Sequence, residues 1–219
     1  MNQKLRRRKE KSKLAKIIIS HINQNQKNYL IAGLLFITGL VIGILFINHL
    51  SGDQYTEITN YITSTSNQIK TTQNLNYTEL LKTSIISNLI LVIIVWIAAS
   101  TIIGIPIVYG TIVYRGFILG YTISSVIMTL GIKNGTLFSM SSLLLHNILF
   151  IPVLFAISVS GMNLYQSIVK NKKRENVKLE FIRHTIFCII MFIFLIISSL
   201  IEIYISTNLA KLVLNYIKI

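Results

Sequence analysis

The chain has 219 residues, of which 53% are hydrophobic and 13% charged, with a net charge of +14 and a mean hydropathy of +0.65. A soluble domain carries about 25% charged residues, so these charges are too few to solvate a globular surface, and hydrocarbon is the solvent the composition calls for. The basic balance suggests nucleic acid, but nine of the 21 Lys and Arg lie in residues 1–27 and six in residues 170–183, without aromatics placed for stacking. That distribution excludes nucleic acid as a partner and matches charges that fix membrane orientation.

Residues 1–28 are polar and basic, and Leu14, Ile17, Ile18 and Ile22 recur at helical spacing. The pattern predicts an amphipathic helix on the cytoplasmic membrane surface. There Arg6, Arg7, Arg8, Lys9, Lys11 and Lys13 attract anionic lipids at about 1 kcal/mol each. The long basic stretch, a full-length apolar run and the lack of an A-x-A-like site argue against a cleavable signal.

A helix needs roughly 20 apolar residues to cross a bilayer. Five such runs are present, over about residues 29–50, 80–103, 106–130, 136–162 and 181–206, making residues 29–206 one membrane domain. The first contains Gly39 and Gly43. The polar outer loop 51–79 is too short for a core of its own, although Tyr55, Ile58, Ile62 and Ile69 suggest one side of a surface helix. Gly104-Ile105-Pro106 separates the second and third spans as a tight helical hairpin. Gly131-Ile132-Lys133-Asn134-Gly135 turns into the fourth span, which Pro152 kinks by withholding a hydrogen bond from the Ile148 carbonyl. A basic inner loop, 163–180, leads to the fifth span. The tail 207–219 carries Leu209, Leu212, Val213, Tyr216 and Ile217, a stripe suited to the outer surface.

With the N-terminus inside, cytoplasmic segments hold 15 Lys and Arg, and outer segments hold Lys70, Lys82, Lys133, Lys211 and Lys218. The expected architecture is therefore an all-α integral membrane bundle of five transmembrane helices, N-in and C-out.

Arg115 is the remaining cation, placed near mid-membrane at a cost of about 2.5–3.5 kcal/mol. It must face the bundle or a wet cavity. His146, Asn147 and Asn88 stand at similar depth, with Tyr109, Tyr114, Ser124 and Ser125 as further polar groups. They form either a binding or transport site or a structural network orienting the spans. Glu202, the only acid within a span, reads as an interfacial carboxylate far from Arg115 in depth. Two GxxxG pairs, Gly39/Gly43 and Gly116/Gly120, allow close helix approach, within the bundle or to a partner, including a homo-oligomer.

Enzyme templates fail. The sole Asp, Asp53, lies in a loop, and a dyad of Ser124 or Ser125 with His146 lacks a nucleophile setting. No HExxH or P-loop occurs, Cys188 stands alone, and no metal or other cofactor is expected. The Asn-x-Thr sequons at Asn76 and Asn134 carry little weight.

Three strings carry a resemblance. They are Trp96 … Ile103-Gly104-Ile105-Pro106 … Arg115-Gly116-Phe117-Ile118-Leu119-Gly120-Tyr121, then His146-Asn147-Ile148 … Ile151-Pro152, and Phe36 … Gly39 … Gly43. Together they resemble the signature of the stage II sporulation protein M family, over nearly the whole chain. Arg115 replaces the more usual lysine or neutral residue, and Leu145 stands where proline is frequent. The resemblance implies a role in endospore formation, in the mother-cell septal and engulfing membrane. It implies a non-enzymatic anchor and scaffold for stage II sporulation proteins D and P, which degrade peptidoglycan to thin the septum and drive engulfment. The residues alone leave two alternatives: a small transporter or channel component built on the Arg115/His146/Asn147 site, or a membrane-shaping protein acting through residues 1–28.

Overall fold

The computed structural model describes residues 22–71, 76–101, 104–170 and 174–217. Most of the expected N-terminal amphipathic helix, and Lys172 and Lys173 of the basic loop, lie outside the described residues.

All regular structure among the described residues is helical: α1 (Gln26–Ile47), α2 (Gly52–Thr71), α3 (Tyr77–Ala99), α4 (Gly104–Leu130), α5 (Ile132–Ser139), α6 (Leu145–Lys170), α7 (Arg174–Leu200) and α8 (Thr207–Tyr216). A π-helical stretch, Met140–Leu144, joins α5 to α6, and a second, Ile201–Ser206, joins α7 to α8. Five helical rods are long and apolar enough to span a membrane: α1, α3, α4, Ile132–Val169 and Val177–Tyr216. The chain is thus an all-α, five-span membrane bundle.

α6 runs through the middle, touching α1, α3, α4 and α7, and Leu154, Ile157, Ser158 and Val159 on it are fully buried. Around it Phe36, Val95, Ile112, Cys188 and Leu195 complete the main core. Large apolar side chains such as Leu30, Ile90, Ile189 and Ile193 face outward, where lipid replaces water.

The most extensive contact joins α1 to α4, and glycine makes it. A Cβ on Gly39 would overlap the Val113 carbonyl, and one on Gly43 the Phe117 carbonyl. In return, Gly116 lies on the Phe36 carbonyl and Gly120 on that of Leu40. The two GxxxG pairs are therefore used against each other, backbone to backbone, and these faces are not open to partner helices. Phe46 packs edge-on against Phe117 and Tyr121 beside the seam.

Turns follow from local chemistry. Asn76 caps α3 by accepting from the Glu79 backbone N–H at 3.3 Å, while its own amide donates to the Glu79 carboxylate at 3.1 Å. This is an N-cap reinforced by a side-chain pair three residues apart. Gly104 closes the α3–α4 hairpin directly over the Ala98 carbonyl, and Pro106 follows in the first turn of α4. Gly131, at φ 80° and ψ 162°, turns α4 into α5 in one residue. Only glycine adopts that region readily.

The loop between the first two spans is helical, as its apolar spacing suggested, and packs more extensively than a surface helix. It holds a 20-residue helix, α2, and a small second core: Ile62 and Ile69 pack against Val126, Phe138, Ala210 and Leu214. The segment could not fold alone, but the neighbouring rods supply the missing apolar surface. Likewise residues 207–216 continue the last rod as a helix. Its buried face is Ala210, Leu214 and Ile217, whereas Leu212 and Tyr216 of the expected stripe are exposed.

Substituting Gly39 or Gly116 by Val should destabilise the bundle by roughly 3 kcal/mol or more, because backbone would have to move. Gly33→Ala and Gly110→Ala meet open space and should be near neutral. Thermal unfolding in detergent distinguishes the two classes. Gly131→Ala should cost about 1–3 kcal/mol through strain alone, visible in the same assay.

Candidate functional site: a polar centre at mid-membrane

Asn88 is equidistant from Tyr77 and Ala99, the ends of α3. Its buried amide donates to Ser199 Oγ on α7 at 2.9 Å. Ser199 Oγ lies 2.9 Å from Ser84 Oγ, and Ser84 donates to Glu202 Oε2 at 2.6 Å. One proton arrangement satisfies the series, with each hydroxyl donating toward the carboxylate, the strongest acceptor present.

On the other side of Glu202, His146 Nδ1 stands 3.7 Å from Oε2. It also lies 2.8 Å from Ser198 Oγ and 3.2 Å from the Ser198 carbonyl. The His146 ring packs on Phe150 with centroids 5.3 Å apart. The Arg115 guanidinium sits over the opposite partner of that pair, 4.8 Å from the Phe150 centroid. Arg115, His146 and Asn88 therefore belong to one continuous string of contacts, in which Phe150 and Glu202 are intermediate members.

Asn147 is held differently. Its amide nitrogen donates to the Leu143 carbonyl at 2.7 Å, inside the first π-helical stretch. Thr207 does the same for the second stretch, its hydroxyl donating to the Glu202 carbonyl at 3.1 Å. In both places a side chain serves a backbone carbonyl beside a widened turn, as hydrocarbon requires. Pro152 stands inside α6 one turn beyond Asn147. Gly104 and Pro106 shape the hairpin at the far end, away from the polar centre.

Glu202 makes more contacts than an isolated interfacial carboxylate would, although its side chain remains 39% exposed. It bonds Ser84 and approaches His146. The sequence reading missed Ser84, Ser198, Ser199 and Phe150. The spacing held a signal: Ser198 and Ser199 precede Glu202 by four and three residues, Ser84 precedes Asn88 by four, and His146 precedes Phe150 by four. Each pair falls on one helix face. Tyr114 is exposed, and Ser125 bonds the Tyr121 carbonyl of its own helix at 2.8 Å.

No group of three or more His, Cys, Asp or Glu able to hold a metal occurs among the described residues. The chemistry on offer is that of one carboxylate, one imidazole and a set of hydroxyl and amide groups in a partly enclosed space. A double-mutant cycle of Arg115→Leu with Phe150→Leu should give a coupling of about 1–2 kcal/mol, the size of a desolvated cation–π pair. Asn88→Val should cost roughly 0.6–1.7 kcal/mol, as for hydrogen bonds between membrane helices. Unfolding in mixed micelles measures both.

No curated protein and no solved structure matches the chain. Residues 32–207, which contain all of this polar centre, the opposed glycine pairs and the α3–α4 hairpin, match the family model described as Stage II sporulation protein M. That match spans most of the chain, and with five membrane-spanning rods it makes this a multi-pass, sporulation-related membrane protein. The chain belongs to the stage II sporulation protein M family.

Proposed function

We propose that this chain is a non-enzymatic scaffold in the mother-cell membrane, N-terminus inside, that anchors peptidoglycan-degrading proteins during septal thinning and engulfment. The observation that carries this reading is the family match over residues 32–207. Stage II sporulation proteins D and P are the proposed partners, and residues 1–28 the proposed contact with anionic lipids.

The architecture supports the reading in two ways. First, α2 and the ends of α5 and α8 form a platform with its own core at one end of the bundle. The positive-inside count assigns that end to the wall side, where hydrolase domains stand. Second, Tyr61 and Tyr216 are 71% and 83% exposed on that platform and offer aromatic surface to a partner. The glycine faces, read as serving either the bundle or a partner, are occupied by one another.

Detergent extraction from sporulating cells should copurify two peptidoglycan hydrolases with the chain. Tyr61→Glu combined with Tyr216→Glu should weaken that capture at least fivefold while leaving the unfolding temperature unchanged. Normal engulfment in a deletion strain would overturn the reading. Orientation is testable directly: Cys188 is the sole cysteine and is buried, so added cysteines report cleanly. Lys172→Cys should be protected from an impermeant thiol reagent in intact cells, and Tyr61→Cys should be labelled.

A second reading, a small transporter or channel component, is favoured by the polar centre at mid-depth. Arg115→Leu separates the two. A transport role predicts lost activity with the complex intact, whereas a structural role predicts lower folded yield or altered partner capture.

A further inference from the structure

Between the two π-helical stretches lies a cavity of about 390 Å³ that the scaffold reading does not use. Its walls are Asn147 on one side and Glu202, Ser206 and Thr207 on the other, and Thr65 and Gln68 of α2 roof it. We propose that this cavity binds a small monovalent metal cation through the Glu202 carboxylate and the oxygens of Asn147, Ser206 and Thr207.

Four observations converge on it. The site holds one formal negative charge and several neutral oxygens, the donor set suited to a hard cation of single charge. Ser206 lines the cavity and is 2% exposed, and its buried hydroxyl has no hydrogen-bond partner among the described residues. A buried hydroxyl left in that state costs free energy unless something fills the place. Asn147 gives its nitrogen to the Leu143 carbonyl, so its oxygen is the atom left to accept. Finally, the cationic groups that face Glu202 stop short of it. His146 Nδ1 is 3.7 Å away and already engaged by Ser198. Arg115 is turned onto the face of Phe150.

The inference is independent of the scaffold role, because it can be read on the purified chain without a partner. It also gives α2 a function. The helix that roofs the cavity is the helix that carries the platform, so occupancy links the membrane interior to the wall-facing surface.

The test uses the full chain in nanodiscs of zwitterionic lipid, at constant ionic strength, with sodium chloride exchanged stepwise for choline chloride. Sodium should raise the unfolding temperature by several degrees, saturably, and slow amide exchange in residues 60–70. Potassium and methylammonium chloride serve as parallel probes. Glu202→Gln should abolish the sodium shift, and Ser206→Ala should raise the half-saturating concentration at least threefold. Should Glu202→Gln fail to fold, Ser206→Ala decides, an unchanged half-saturating concentration overturning the proposal. Equal unfolding temperatures in sodium and choline would overturn the proposal, as would a full sodium shift in Glu202→Gln or a response to methylammonium alone. A response to potassium rather than sodium supports it and sets the size of the ion.

Discussion

A hydroxyl or amide inside hydrocarbon has no water to turn to, so nearly all find a partner within the chain, with Ser158 and Ser206 among the exceptions in the described residues. Most do so locally. Thr38, Ser100, Thr111, Ser125 and Thr129 each donate to the carbonyl four residues earlier in their own helix. Such residues are silent: they satisfy themselves and leave the packing of rods to apolar contact. The few that reach across helices determine the arrangement. Trp96 Nε1 donates to Thr185 at 3.0 Å, tying α3 to α7 toward the hairpin end. Asn88, Ser199, Ser84 and Glu202 tie the same two helices at mid-depth. Tyr77 donates to Asn208 at 3.0 Å and stacks on Tyr204, tying them again at the opposite end. These three fastenings set the register of α3 against the last rod, and Glu202 inherits its position from that register.

The α1–α4 pair is held by the opposite means. Lipid tails are as apolar as leucine, so no hydrophobic force drives two apolar helices together in a membrane. What remains is contact, and dispersion attraction rises with the number of atoms brought to optimal separation. Four glycines remove the side chains that would keep the backbones apart. Because α4 also carries Arg115, one residue before Gly116, the close seam places the guanidinium on the flank of α4 that faces α6 and the ring of Phe150. Packing on one face of α4 thus orients the charge on another.

The apolar architecture was legible in the sequence because hydrocarbon imposes a blunt rule. Runs of about 20 apolar residues mark crossings, and Gly104 with Pro106 marks the hairpin. What stayed hidden is governed by neighbours. α2 read as a surface helix, but its packing depends on Val126, Phe138, Ala210 and Leu214 being present to receive Ile62 and Ile69. The fifth span was expected to end near Ser206, with the tail 207–219 lying on the outer surface. A helix leaving the bilayer has no reason to unwind when its next turns still bury Ala210 and Leu214. The π-helical stretches have no composition of their own. They show only in three dimensions, through the side chains of Asn147 and Thr207 that answer for the displaced carbonyls.

Arg115 and Glu202 together explain how a membrane core tolerates both charges. Alone, a central arginine costs about 2.5–3.5 kcal/mol. A cation–π contact with Phe150 offsets about 2 kcal/mol of that when desolvated. Two aromatic rings, Phe150 and His146, stand between the guanidinium and Glu202, so the two charges make no direct contact. Had they met, the bidentate bond would have consumed the carboxylate and sealed the space beside it. Kept apart, Glu202 retains acceptor capacity toward the cavity between α6 and the last rod, which a purely structural ion pair would not need.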